Sequence, residues 1–275
     1  MTPEQFFEYF MQELNELPAL YHYYKFHTSP KSFGFRKNYF LERLRYIDAQ
    51  IKTYQADQTT PISIWDCGCG YGTTCLYLAM NGIATYGSTL EFYYPYIEKR
   101  KKYWNQFGNV ELFTASYADI FEEYPQENSI DVVIVQDTLH HLEPMDDAMQ
   151  IFRKTIKPNG ILLSVEENGD NIVQRIKLYK QRGNKRIITF WDETLQRTIT
   201  MGNENIRGLQ TWEEIFGKYQ FIIPTDSIQY VRYYYPFAYK NNNELELLDK
   251  EQRNNSKIAH KYFFFGINFI GVNKK

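Results

Sequence analysis

The chain has 275 residues, with 31 Lys and Arg against 33 Asp and Glu, a formal net charge of −2. That balance argues against a protein held to nucleic acid by a broad phosphate-neutralising surface, and it leaves a small molecule or a protein as the default substrate. Hydrophobic residues at 43% and charged residues at 23% describe a globular chain, long enough to bury a core without disulfides, and no apolar run approaches the roughly 18 residues needed to cross a bilayer.

The N-terminus, MTPEQFFEYF, lacks the basic-then-apolar pattern of a secretory signal, so a cytoplasmic location is expected. Residues 1–55 read as a helical cap. Phe6, Phe7, Phe10, Met11 and Leu14 recur at helical spacing, as do Phe40, Leu41, Leu44 and Ile47, with a break at Thr28-Ser29-Pro30-Lys31. Between Phe6 and Phe40, 12 of 35 residues are Phe or Tyr, and between Tyr230 and Tyr239 six of ten are. Most of these rings are expected in packing, and some in the lining of a pocket for a greasy or aromatic substrate.

From Ile62 the pattern alternates between strand and helix. Strands are expected at residues 61–65, 83–87, 110–114, 130–135 and 161–165. Helices are expected at 73–80, 95–107 and 144–156, with a short helical turn at 119–124. This alternation predicts an α/β fold with a doubly wound parallel sheet, whose first loop lies at the carboxyl edge where ligands bind. Residues 168–210 are polar and mixed. A helix follows at 211–219, with Thr211 as its expected N-cap, and then strands at 221–231 and 262–272. The last two suggest an antiparallel hairpin on the sheet edge. The organisation expected is a cap at 1–55 and a main domain at 56–275, with further cap insertions at 168–210 and 232–260.

Between the first strand and helix stands Ile64-Trp-Asp-Cys-Gly-Cys-Gly-Tyr-Gly72. The glycines permit tight turns and close backbone approach to a ligand, and the following helix offers unpaired N–H groups to an anionic group. A nicotinamide-binding loop would read GxGxxG, whereas here the third glycine comes one position early. Cys67, Cys69 and Cys75 fall within nine positions, but no spaced His pair or second CxxC accompanies them. No metal site is expected.

The acid two residues before a GxGxG loop resembles motif I of the class I S-adenosylmethionine-dependent methyltransferases. Four later segments resemble the same family in order: Gly87-Ser-Thr-Leu-Glu91, Ala115-Ser-Tyr-Ala-Asp-Ile120, IDVVIVQDTLHHL at 130–142, and Lys157-Pro-Asn-Gly160. The GSTLE form is similar to that of cyclopropane-synthase-like small-molecule enzymes. The resemblance implies a seven-stranded Rossmann-like sheet, S-adenosylmethionine as cofactor, and a small, hydrophobic or aromatic acceptor, with O-methylation favoured. A catalytically silent S-adenosylmethionine-binding scaffold is the alternative. The family pattern assigns the cofactor to Asp66, Gly68, Cys69 and Gly70. Thr89 and Leu90, with Tyr94 or Glu91, then fall at the ribose, and Ser116 and Tyr117 at the adenine. Gln136 falls beside the methionine part. Asp119 is expected to cap the turn that follows it. Arg43, in Arg-Leu-Arg-Tyr-Ile47, resembles a stretch of quinone-biosynthesis O-methyltransferases and is expected to reach the cofactor carboxylate.

His140 is the catalytic candidate, as base or as acceptor-orienting group. An imidazole near its ordinary pKa would suit proton abstraction. His141 is assigned to loop hydrogen bonding. Glu166, Glu167 and Asn168 end the fifth strand, where they would hold the acceptor or face solvent. No nucleic-acid partner and no membrane span are expected.

Overall fold

The computed structural model describes residues 1–26, 30–90, 93–233 and 244–275. Three helices come first: α1 (Pro3–Glu16), α2 (Pro18–Tyr24) and α3 (Pro30–Ala56). Thr2 and Gln5 close a capping box on α1, satisfying two of its orphan N–H groups reciprocally. Its apolar face carries Phe6, Phe7, Phe10 and Leu14 into the core.

The alternating part follows in chain order as β1 (Ile64–Cys67), α4 (Thr73–Met80), β2 (Thr85–Thr89), α5 (Ile97–Trp104), β3 (Phe113–Tyr117), β4 (Ile130–Gln136), α6 (Met145–Thr155) and β5 (Ile156–Glu167). Strands β1 to β5 pair in parallel, in the order β3-β2-β1-β4-β5. The order reverses at β1, so the loops after β1 and β4 diverge and open a crevice between them. Strands β1 and β4 are buried on both faces, which accounts for their unbroken apolar runs. Asn159 takes a left-handed φ of 61° in the turn within β5, a conformation asparagine tolerates.

The remainder comprises α7 (Ile172–Arg182), β6 (Ile187–Asp192), β7 (Arg197–Gly202), α8 (Leu209–Lys218), β8 (Phe221–Ile222), β9 (Gln229–Tyr233), α9 (Glu244–Arg253), α10 (Lys257–Phe263) and β10 (Phe264–Asn273). Strand β10 runs antiparallel to β5 and carries both β8 and β9 on its other side. The expected strand over 221–231 is therefore two short strands. Pro224 cannot donate to a ladder, and a 3₁₀ turn at Thr225–Ser227 separates them. Helix α8 starts two residues before Thr211, which is not its cap. Gly208 holds that place, with the Asp170 carboxylate lying against it where a side chain would stand. Strands β6 and β7 form a separate two-stranded hairpin inside the 168–210 insertion. No helix among the described residues is long and apolar enough to cross a membrane.

Candidate functional site

A cavity of about 1010 Å³ opens at the carboxyl edge of the parallel strands. Its floor is the tip of β1 and the glycine loop. Gly68, Gly70 and Gly72 take φ values of 83°, 53° and 72°, a region that L side chains rarely adopt. A Cβ at Gly68 would strike Thr138, whereas one at Gly70 would meet nothing within 4 Å. Gly70 is thus the point where the bare backbone faces open space. Asp66 is buried beneath the loop, and burial pushes its carboxyl up to about 7. Only the Cys75 thiol, donating to Oδ2 at 3.2 Å, opposes that rise. An acid desolvated in this way suits a cationic ligand group such as an ammonium, which would restore its ionised form. Glycine loop, acid and cavity together fit the aminoacyl end of S-adenosylmethionine.

Most of the positions expected at the cofactor line this cavity: Arg43, Asp66, Gly68, Cys69, Gly70, Thr89, Leu90, Tyr117 and Gln136. Gln136 accepts from Thr74 Oγ1 at 2.9 Å, tying β4 to α4. Ser116 is a correction. Alternation along β3 turns it away from the side Tyr117 faces, and its hydroxyl pairs with Tyr86 Oη at 2.5 Å. Tyr94, whose hydroxyl donates to the Ala115 carbonyl at 3.2 Å, does not line the cavity. Glu91 lies outside the described residues. Asp119 accepts from the Phe121 N–H at 3.1 Å, as a turn cap, and also pairs with Arg197. Arg43 is buried and its guanidinium lies 2.6 Å from the Asp137 carboxylate. Any anion it meets shares it with that acid.

The His140 ring is buried, with Nδ1 2.5 Å from Glu166 Oε2. Its pKa is not near the ordinary value. Desolvation lowers it, but the charge and hydrogen bond of Glu166, with the nearby Asp137 and Glu204 charges, together raise it to about 9. Glu166 is neither solvated nor in the cavity. It points inward and accepts from the Thr138 and Leu139 N–H groups at 3.0 and 2.8 Å, besides His140. Glu167, its neighbour on the strand, points the other way and lines the cavity. Burial and the nearby Asp137 charge raise Glu167 to about 7. Asn168 is buried and donates to carbonyls of residues 260, 261 and 264, a strut between β5 and α10. His141 Nδ1 lies 2.9 Å from the Gly202 carbonyl, a loop hydrogen bond of the kind expected.

Two covers complete the walls. From the N-terminal helices come Tyr23, Tyr24, Phe26, Tyr39 and Phe40. From the insertion come Phe190, Asp192, Ile199, Met201 and Glu204. The aromatic cluster at 230–239 lies largely outside the described residues. The lining is not purely apolar, because Arg36, Arg43, Asp137, Glu167 and Arg232 share it. Sequence reasoning missed Asp137, Asp192 and Glu204. Only Asp137 carried a signal, its place directly after Gln136 at the end of a buried strand.

Residues 65–164 match the methyltransferase domain family. No curated protein sequence matches the chain. Among solved structures, phosphoethanolamine N-methyltransferase 2 of Haemonchus contortus, in complex with S-adenosylmethionine, aligns with a TM-score of 0.55 at 16% identity. That alignment covers 84% of this chain and 52% of the other, so the chain spans about half the length of that enzyme. A methyltransferase of Methanosarcina mazei aligns at 0.52 and 16% identity, over 81% and 96% of the two chains. Geranyl diphosphate C-methyltransferase of Streptomyces coelicolor aligns at 0.54 and 11% identity, over 88% and 83%. The family match covers the parallel part of the sheet, and the solved structures share the fold of the chain.

Proposed function

We propose that the protein transfers the methyl group of S-adenosylmethionine to a small acceptor with an apolar or aromatic body, oxygen being the favoured acceptor atom. One observation carries this reading: the glycine loop and Asp66 share a single cavity with Glu167, His140, the aromatic N-terminal cover and the insertion. When bound, S-adenosylmethionine supplies a methyl group already activated by its sulfonium leaving group. The protein's task is then alignment, which is worth on the order of 7–11 kcal/mol when both partners are held.

Asp66 would hold the cofactor ammonium and the first N–H groups of α4 its carboxylate. Thr89 and Leu90 would border the ribose, and Tyr117 the adenine, with Gln136 beside the methionine chain. His140, fixed by Glu166, would position the acceptor. Glu167 would take the proton that a hydroxyl loses as its oxygen gains carbon, because a carboxylate near neutral pKa suits that work. Oxygen is favoured for this reason. A silent scaffold would have no need of an acid poised near neutrality beside the cofactor loop.

The test is transfer of labelled methyl to a panel of phenols, carboxylic acids and amines. Methylation of a hydroxylated aromatic is expected. Glu167→Gln should lower kcat by about 10²-fold or more with S-adenosylhomocysteine affinity kept, and His140→Ala should act on acceptor KM. Cofactor binding without transfer to any acceptor would favour the scaffold. Preference for NAD would end the methyltransferase reading.

A further inference from the structure

The loop after β4 and the end of the insertion meet inside the cavity. His140 and His141 come from the first and Glu204 from the second. One ligand atom from each lies within 4.8 Å of the others, and all three residues line the cavity. His140 Nε2 stands 3.7 Å from Glu204 Oε2. In a tetrahedral site with metal–nitrogen bonds of 2.0–2.1 Å, ligand atoms stand about 3.3 Å apart. Side-chain movement closes the difference, and the Glu204 carboxylate, 42% exposed, has room to make it.

Both rings are set for coordination. The Gly202 carbonyl can only accept, so His141 Nδ1 carries the proton and the lone pair of the neutral ring lies on Nε2. Glu166 accepts the Nδ1 proton of His140, which leaves Nε2 as the position a metal takes by displacing the second proton of that ring. A carboxylate or carbonyl behind each imidazole is the arrangement that orients metal-bound histidines.

The Glu204 loop is built to meet this pair. Gly202 packs so closely that a Cβ there would lie 2.1 Å from the His140 carbonyl oxygen. The Asn205 N–H donates to that same carbonyl at 3.1 Å, and Arg182 holds the Glu204 carbonyl at 3.2 Å. Glu204 itself is kept at φ 52°, a strained conformation for a non-glycine residue, of a kind that gathers at ligand sites.

We propose that His140, His141 and Glu204 form a binding site for a divalent transition metal, with open coordination positions toward the acceptor side of the cavity. Two imidazoles and one carboxylate suit zinc, cobalt, manganese or iron, whereas calcium and magnesium prefer oxygen ligands throughout. The bound ion would take an oxygen of the acceptor as a further ligand and so orient it. The site rests on ligand geometry and does not require the methyl-transfer reading.

The protein, stripped with EDTA, is titrated with Zn²⁺ by calorimetry and with Co²⁺ by visible absorption, and S-adenosylhomocysteine binding is measured in parallel. One equivalent of Zn²⁺ per chain is expected, with cobalt d–d bands and no thiolate charge transfer. Glu166→Gln should weaken binding about 10- to 100-fold, and Glu204→Gln by at least as much. Glu204→Gln alters a partly exposed side chain and should leave S-adenosylhomocysteine binding intact, which reports the fold. No zinc binding by protein that still binds S-adenosylhomocysteine would overturn the site. So would zinc affinity unchanged in Glu204→Gln, or charge-transfer bands that place the metal on Cys67, Cys69 or Cys75. Zinc bound without S-adenosylhomocysteine would instead remove the cofactor reading and leave the metal site standing.

Discussion

The two covers of the cavity are attached by opposite means. The N-terminal helices belong to the core. Phe6 stacks on Trp104 with ring centroids 4.3 Å apart, and Phe10 stacks on Phe40 at 5.2 Å. Between them Arg100 and Glu13, both fully buried, form a two-pronged pair at 2.8 and 2.7 Å. Arg100 also donates to the Tyr71 carbonyl at 2.9 Å and to Thr73 Oγ1 at 2.6 Å. One guanidinium thus joins α1 to the glycine loop and to the start of α4. The β6–β7 hairpin, by contrast, leaves Ile187, Phe190 and Trp191 exposed. Polar links hold its ends: Tyr117 to Asp192, Arg197 to Asp119, and Asn205 and Arg207 to Glu143. Loosening the first cover therefore disturbs the fold and the glycine loop together, whereas the second can be loosened by itself.

Glu13→Ala gives the largest effect. It strands a buried guanidinium, and losing one partner of such a pair costs about 3–5 kcal/mol. Chemical denaturation should show this loss, and S-adenosylhomocysteine binding should weaken with it, because Arg100 grips Tyr71. Wild-type stability in the variant would mean that the N-terminal cover is not part of the core.

The floor shared by both covers is probed by Asp66→Asn. A charge-assisted hydrogen bond is worth about 1.5–3 kcal/mol, against about 0.5–1.5 for the neutral one lost in Thr89→Ala. The wild-type affinity should also depend on pH. With its carboxyl raised to about 7, Asp66 is neutral in the ligand-free protein below that pH, while the cofactor ammonium needs it ionised. Affinity should fall about tenfold per pH unit below 7 and level off above it. In stability the sign is reversed. The native state holds this proton more tightly than the unfolded chain, so Asp66 costs the ligand-free protein stability as pH rises from the usual carboxylate range to 7. Asp66→Asn should abolish both dependences. A flat calorimetric profile in the wild type would place the ammonium elsewhere.

Tyr117→Phe is the mildest change and bears on the second cover. It removes the 2.5 Å bond to Asp192 and the 3.1 Å bond to the Leu90 carbonyl. Global stability should fall by only about 0.5–1.5 kcal/mol, while limited proteolysis within 187–202 should quicken. Cleavage no faster than in the wild type would show that the insertion does not depend on this latch.

Much of the frame was legible in the chain. Alternating apolar strands and helices at short spacing predict the parallel sheet, because burial on both faces demands unbroken apolar runs. The glycines at 68–72 predict the tight turn after β1, because few residues tolerate those backbone angles. The misplaced residues share a cause. Ser116 and Glu166 were assigned by position along a strand, and it is the face that a strand turns to its neighbours that decides what each side chain reaches.

What the sequence by itself determined is therefore local: the order of strands and helices, the glycine turn and the acid at its entrance. These follow from backbone preferences and from hydrophobic periodicity, which act over a few residues. Only the tertiary structure decided that Glu13 would meet Arg100, that Glu166 would stand behind His140 while Glu167 faced the cavity, and that Glu204 would arrive beside the two histidines. Those meetings depend on packing between segments far apart in the chain, and no spacing along the chain encodes them.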